Sequence, residues 1–170
     1  AVEATQSEQL IAKLDALKTK GTLTDEFKDA LFGGNIQVGN AIFFRNQSVE
    51  CVRCHNVGGE GGIVGPSLKG IASRLSREQI LQALIEPSAR IAPGYGMISL
   101  VLTDGQEVTG TLIQETESEI QLKTSEAEPL RIAIGRIKSR ENYPSSMPPM
   151  GSLMNKREIR DVVEFLSSLK

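Results

Sequence analysis

The run Cys51-Val52-Arg53-Cys54-His55 constrains this chain more than any other stretch. Two thiols spaced by two residues and followed at once by a histidine form the pattern that covalent haem c attachment needs. Each cysteine sulfur adds across a haem vinyl group as a thioether, and the adjacent imidazole reaches the iron. The rest of the inventory narrows the alternatives, because Cys51 and Cys54 are the only cysteines and His55 is the only histidine. A structural zinc site wants four nitrogen or sulfur ligands, and at most three lie within this turn. A thiol redox motif expects a βαβ frame around it, and none is visible.

With a single histidine, two-histidine ligation within one chain is impossible. The sixth iron ligand is then a methionine, something weaker, or nothing. Of Met97, Met147, Met150 and Met154, Met147 sits in Ser146-Met147-Pro148-Pro149, where stiff backbone can present a thioether to the iron. Met150 is its competitor. Met97 opens an expected strand and Met154 borders the last helix, so both read as packing residues. A soft thioether favours ferrous over ferric iron and occupies the position where oxygen or peroxide binds, which describes an electron carrier rather than a catalyst. An axial imidazole usually donates its free N–H to a carbonyl that fixes its orientation. The backbone carbonyl of Pro66 is the candidate here, the plainer reading of Pro66 being a loop stiffener.

The chain has 170 residues, enough for one domain with a core, and its net charge of -2 and pI near 5.6 argue against a nucleic-acid partner. No apolar stretch is long enough to span a bilayer, and the N-terminus lacks a basic region followed by an apolar one. The expectation is an export signal already removed, or a piece of a larger exported protein.

Apolar periodicity predicts helices over Glu8 to Lys20, from Thr24 to Phe32, from Asn35 to Phe44, from Ser76 to Ile85 and from Asn155 to Lys170. Ser76 with Gln79, and Asn155 with Glu158, have the spacing of reciprocal N-terminal caps. Gly39 and Phe43 share a face, which predicts a close crossing between the helix before the cysteines and the last helix. Between Gly58 and Gly65 the chain is glycine-rich. It lacks the ending of a phosphate-binding loop, and suits backbone that runs close past a flat ring. From Met97 to Ile137 the pattern turns to β: Ile98, Leu100 and Leu102 alternate up to Asp104-Gly105, a two-residue hairpin signal, with Val108, Gly110 and Leu112 after it. Ile120–Leu122 and Ile132–Ile134 supply two more short strands.

Gly39-xxx-Phe43, the CxxCH run, Gly65-Pro66-Ser67-Leu68, Ser146-Met147-Pro148 and the final helix with Phe165-Leu166 together resemble class I cytochrome c. The stretches Gly65 to Glu78 and Ile85 to Tyr95, with the β insertion and the Ser-Met-Pro loop, are similar to the planctomycete and verrucomicrobial type of haem-binding domain. The resemblance covers about Asn35 to Lys170. It implies one covalent haem c on Cys51 and Cys54, His55 and Met147 as axial ligands, and Pro66 in the supporting position. Pro149-Met150 departs from the family pattern and keeps Met150 as the alternative ligand.

The expected fold is therefore mainly α, a class I cytochrome c fold with an inserted small antiparallel sheet. The expected organisation is an N-terminal helical extension over residues 1–34 and a cytochrome c domain over 35–170, with the insertion at about 97–137. The expected function is single-electron transfer in the periplasm or otherwise outside the cytoplasm, from a fused or partner dehydrogenase to a redox acceptor. The competing function is a haem-based ligand-binding, sensing or partner-docking module with a weak or open sixth site. Peroxidase chemistry is disfavoured because His55 is consumed and no second histidine can act as acid or base.

Overall fold

A computed structural model describes residues 23–170. The helix expected over Glu8 to Lys20, and most of the proposed N-terminal extension, lie outside the described residues. The chain enters as α1 (Leu23–Glu26) and a 3-10 turn (Lys28–Ala30). The single helix expected there is broken in two, because Phe27 and Ala30 N–H groups reach back only three residues while tertiary packing buries Ala30 against the main core.

Helix α2 (Ile36–Arg45) starts where the Asn35 side chain accepts the Gln37 and Val38 N–H groups, satisfying two donors that a helix start leaves orphaned. Asn35 donates its own N–H to Asp161 Oδ1 at 2.8 Å, so the buried Asp161 carboxylate lies at the positive end of α2. The one-turn helix α3 (Cys51–Cys54) carries the cysteines. Helix α4 (Arg77–Ile85) opens on the complete Ser76/Gln79 capping box, and α5 (Lys156–Ser168) on the complete Asn155/Glu158 box.

The principal packing event is the crossing of α2 on α5. Gly39 lies so close to α5 that a Cβ there would overlap the Asp161 carbonyl and come within 2.8 Å of Phe165 Cβ. That approach brings Phe43, Phe44 and Phe165 together, with ring centroids 4.9 to 6.3 Å apart and tilted or edge-on. Ile159, Val162, Val163 and Leu166 complete the α5 stripe, and Ile80, Leu81, Leu84 and Ile85 of α4 close the same core. Arg77 joins α4 to α5 by pairing with Glu164, and also donates to the Leu31 carbonyl.

A two-stranded ribbon of β1 (Asn56–Val57) and β2 (Glu60–Gly61) follows α3. The larger sheet comprises β3 (Met97–Leu102), β4 (Glu107–Glu115), β5 (Glu119–Lys123), β6 (Leu130–Ala133) and β7 (Ile137–Asn142), antiparallel in the order β6-β5-β4-β3-β7. Its edge strands are consecutive in sequence, joined only by the 3-10 turn Ile134–Arg136. Four flat inter-strand spacings separate edges by about 19 Å, whereas that connection reaches at most about 14 Å. The sheet must therefore curl toward a half-barrel. Register shifts between Leu112 and Gln114 and between Val101 and Leu102 supply the bends. The concave face holds a second core of Ile98, Leu100, Leu102, Val108, Ile120, Leu122 and Ile132.

Two expectations need correction. The described residues are 35% helical and 23% strand, so the fold is not mainly α. The short alternating runs form a five-stranded sheet with its own core, larger than the small inserted sheet expected. The Asp104-Gly105 hairpin is also not a two-residue loop. The Gly105 N–H bonds the Leu102 carbonyl and the Leu102 N–H bonds the Gln106 carbonyl, with Gly105 at φ +85. This is a three-residue loop ending in a left-handed glycine.

The crossing generates a test. Gly39→Ala forces α2 off α5 or distorts the Asp161 carbonyl, and is expected to cost roughly 1–3 kcal/mol, the usual range for overpacking a tight core. Urea unfolding of wild type and variant, followed by far-ultraviolet circular dichroism, checks it, and equal midpoints contradict it.

Candidate haem-binding site

The site begins with a strained turn. Glu50 has left-handed backbone, φ 43 and ψ 39, and is the only non-glycine residue with positive φ among those described. It swings the chain from α2 into α3, where the Arg53 N–H bonds the Glu50 carbonyl at 2.9 Å and the Arg53 guanidinium bonds the Glu50 carboxylate at 2.5 Å. Three residues apart on one helical turn, Cys51 and Cys54 are surface neighbours. Neither is in a disulfide; Cys51 is half-buried and Cys54 exposed. Burial is the main cause that raises the Cys51 thiol above its ordinary value, and the neighbouring Cys54 adds to it.

At His55 the backbone turns extended, φ -107 and ψ 146, and the chain folds back over the end of α3. The Gly62 N–H caps the Val52 carbonyl and the Gly65 N–H caps the Cys54 carbonyl, both at 2.8 Å, satisfying acceptors that a helix end leaves open. This return brings the Pro66 carbonyl oxygen to 2.8 Å from His55 Nδ1. A carbonyl can only accept, so Nδ1 donates here, which leaves Nε2 as the ring nitrogen that would meet a metal. The imidazole packs directly against Gly65, where an added Cβ would stand 2.6 Å from His55 Cε1 and 2.8 Å from Nδ1. No larger residue fits beneath the ring in this position.

The methionines separate clearly. Met147 is half-buried and packs against the main core, which also borders Cys51, Val52 and Leu68. Its loop is pinned: the Met147 N–H bonds Ser145 Oγ at 3.1 Å, and the Ser145 N–H bonds Ser88 Oγ at 3.0 Å. Met150 is only 4% exposed and opens the 3-10 turn Met150–Ser152 as part of that core, as does Met154. Met97, expected to be a packing residue, is instead 49% exposed at the start of β3. The structure therefore brings Cys51 and Met147 to one core and His55 to Pro66.

These residues fit a haem c: two unpaired thiols on one turn, an imidazole whose Nδ1 is tied to a carbonyl, and a thioether at the edge of the same apolar core. Among the described residues no cluster of three His, Cys, Asp or Glu side chains offers an alternative metal cage. A cleft between the start of α2 and the start of α5, lined by Asn35, Val38, Arg160 and Asp161 among others, includes none of these residues. Sequence reasoning missed Glu50 and Asn56. Glu50 carries no propensity signal for left-handed backbone, and Asn56 acts only through bonds that the folded loop creates.

Gly65→Ala is expected to displace the Pro66 carbonyl from His55. In a nitrogen-edited NMR spectrum the Nδ1–H signal should broaden and exchange faster with solvent, while helix content is retained. An unchanged signal contradicts the packing argument.

No curated protein matches the chain in a sequence search. The matched family stretch runs from α2 through the turn between β3 and β4 and stops before the Met147 loop and α5. Residues 36–106 match the family model described as Cytochrome c, which supports a class I cytochrome c with a haem-binding, electron-carrying role, its cofactor haem c held covalently at the Cys51, Cys54 and His55 motif.

Proposed function

We propose that this chain carries single electrons with one haem iron held between His55 Nε2 and Met147 Sδ, Cys51 and Cys54 being the thioether anchors and Pro66 the support of His55. The observation that carries this reading is the 2.8 Å contact of His55 Nδ1 with the Pro66 carbonyl, one residue beyond the cysteine turn. It fixes the tautomer and the ring plane before any metal is present. When bound, the haem supplies a one-electron iron couple. The protein's own contribution is orientation and exclusion. His55 is oriented by the Pro66 carbonyl and by its packing on Gly65, and Cys51 lies against the apolar core. Met147 would take the position an exogenous ligand needs, on a loop stiffened by Pro148 and Pro149 and tied through Ser145 to Ser88.

The narrower reading is a domain of the planctomycete and verrucomicrobial type, working outside the cytoplasm and accepting electrons from a fused or partner dehydrogenase. It is supported by the wording Gly65 to Glu78 and Ile85 to Tyr95, and by the sheet placed between α4 and the Met147 loop. Among the described residues, no helix is long and apolar enough to cross a membrane.

Two measurements test the proposal. In acid-acetone extraction of the denatured protein the haem is expected to remain with the polypeptide, and the intact mass to exceed the bare chain by one haem. Free haem in the organic phase contradicts the thioethers. Met147→Ala is expected to abolish the sulfur-to-iron charge-transfer band, lower the reduction potential and admit carbon monoxide to ferrous iron. Met150→Ala should cost about 2–5 kcal/mol of stability as a buried large-to-small change, yet keep the band. The opposite pattern reassigns the ligand to Met150.

A further inference from the structure

We infer that Asn56 is a positioning residue that locks the Pro66 carbonyl onto His55 and so tunes the reduction potential of the iron; the inference rests on the axial role of His55 proposed above. Asn56 follows His55 directly and uses both ends of its side-chain amide on the returning loop. Its Nδ2 donates to the Gly62 carbonyl at 3.2 Å, and its Oδ1 accepts from Ser67 Oγ at 2.9 Å. The amide orientation is fixed by chemistry, since the Gly62 carbonyl can only accept. The Asn56 backbone carbonyl takes a third bond, from the Leu68 N–H at 2.9 Å.

Pro66 therefore lies inside a clip. On one side, Gly62 is held by Asn56 and the Gly65 N–H is anchored on Cys54. On the other, Ser67 and Leu68 are anchored on Asn56. Ser67 is held in turn, its Oγ accepting the Lys69 N–H at 3.4 Å and its carbonyl accepting from Arg74 Nη2 at 2.9 Å. Pro66 itself has no N–H with which to fix its own peptide. Its carbonyl is located by its neighbours, and among the described residues Asn56 is the one side chain that bonds to both flanks.

The consequence is electronic. A firm Nδ1–H···O=C bond gives the imidazole imidazolate character and makes it a stronger donor, which favours ferric iron. Loosening the clip weakens that bond and shifts the potential positive. Ligand identity does not change.

The test uses the haem-loaded protein and compares wild type with Asn56→Ala, Ser67→Ala and Ser67→Thr. Spectroelectrochemical titration gives the potential, and nitrogen-edited NMR of the ferrous form gives the exchange of the His55 Nδ1 proton. Asn56→Ala is expected to move the potential positive and speed exchange about tenfold, the scale set by loss of one hydrogen bond. Ser67→Ala should move both the same way by less, and Ser67→Thr, which keeps the hydroxyl, should restore wild-type values. A lowered melting temperature in Asn56→Ala with unchanged potential and exchange overturns the inference and leaves Asn56 a plain loop staple. If Asn56→Ala does not incorporate haem, Ser67→Ala decides by the same two readouts. A wild-type protein whose spectra show His55 not bound to iron overturns the axial reading instead, and is recognised before any variant is compared.

Discussion

The close crossing of α2 and α5 is the constraint on which the rest of the helical part depends. Because Gly39 has no side chain, the Asp161 carbonyl can approach the α2 backbone, and only then do Phe43 and Phe165 come within ring contact. The polar part of the contact agrees with the apolar part. Asp161 is buried, but it accepts the Asn35 N–H at the start of α2, so the charge meets a hydrogen-bond donor and the positive end of a helix dipole. Once α2 is fixed on α5, the chain leaving α2 has little choice of direction. The left-handed Glu50 then delivers the cysteine turn to the edge of the same core.

At that edge the mode of construction changes from packing to hydrogen bonding. The segment from Asn56 to Leu68 contains few buried apolar side chains and is held by backbone capping of α3 and by the Asn56 amide. Such a loop defines one position well because each bond fixes a different point along it. Ile63 and Val64, the most exposed of its apolar residues at 84% and 68%, are left outside this network. Gly62 and Gly65 take the close contacts on either side of them. The precision needed at the Pro66 carbonyl thus comes from polar contacts, while the neighbouring cysteine is held by burial.

What was legible in the sequence follows the same division. Helix starts were readable because Ser76/Gln79 and Asn155/Glu158 carry their caps locally, and the Gly39 crossing was readable because small and aromatic residues share one helix face. The CxxCH run and Pro66 were readable because the chemistry of an axial histidine demands a nearby acceptor. Strand β7 was not, since Lys138-Ser139-Arg140-Glu141-Asn142 has no apolar alternation. It is an exposed edge strand whose charges discourage further pairing. Its ladder pairs only with β3, through pairs such as Ser99 with Glu141 and Leu100 with Arg140, and Arg140 also reaches the Glu115 carboxylate of β4. The underestimate of β structure has the same origin: short strands signal weakly one at a time, and their weight appears only when the sheet closes around a common core.

The two cores share no residue, and this bears on how the Met147 loop is held. The sheet's concave face is filled by its own Leu100, Ile120 and Leu122, all nearly inaccessible to solvent, so the sheet does not need the helices to bury its apolar residues. Its hydrogen-bonded links to the flanking segments lie at its ends. The Gly94 N–H bonds the Leu112 carbonyl and the Leu112 N–H bonds the Gly96 carbonyl where the sheet is entered; the Tyr143 N–H bonds the Met97 carbonyl where it is left. Both ends therefore return to one corner, from which the chain passes directly into the Ser145 to Pro149 loop that bears Met147. A sheet with an independent core is a rigid spacer at that point. It fixes the start of the methionine loop without contributing side chains to the helical core, and so separates the stability of the loop's anchor from the packing around the cysteines.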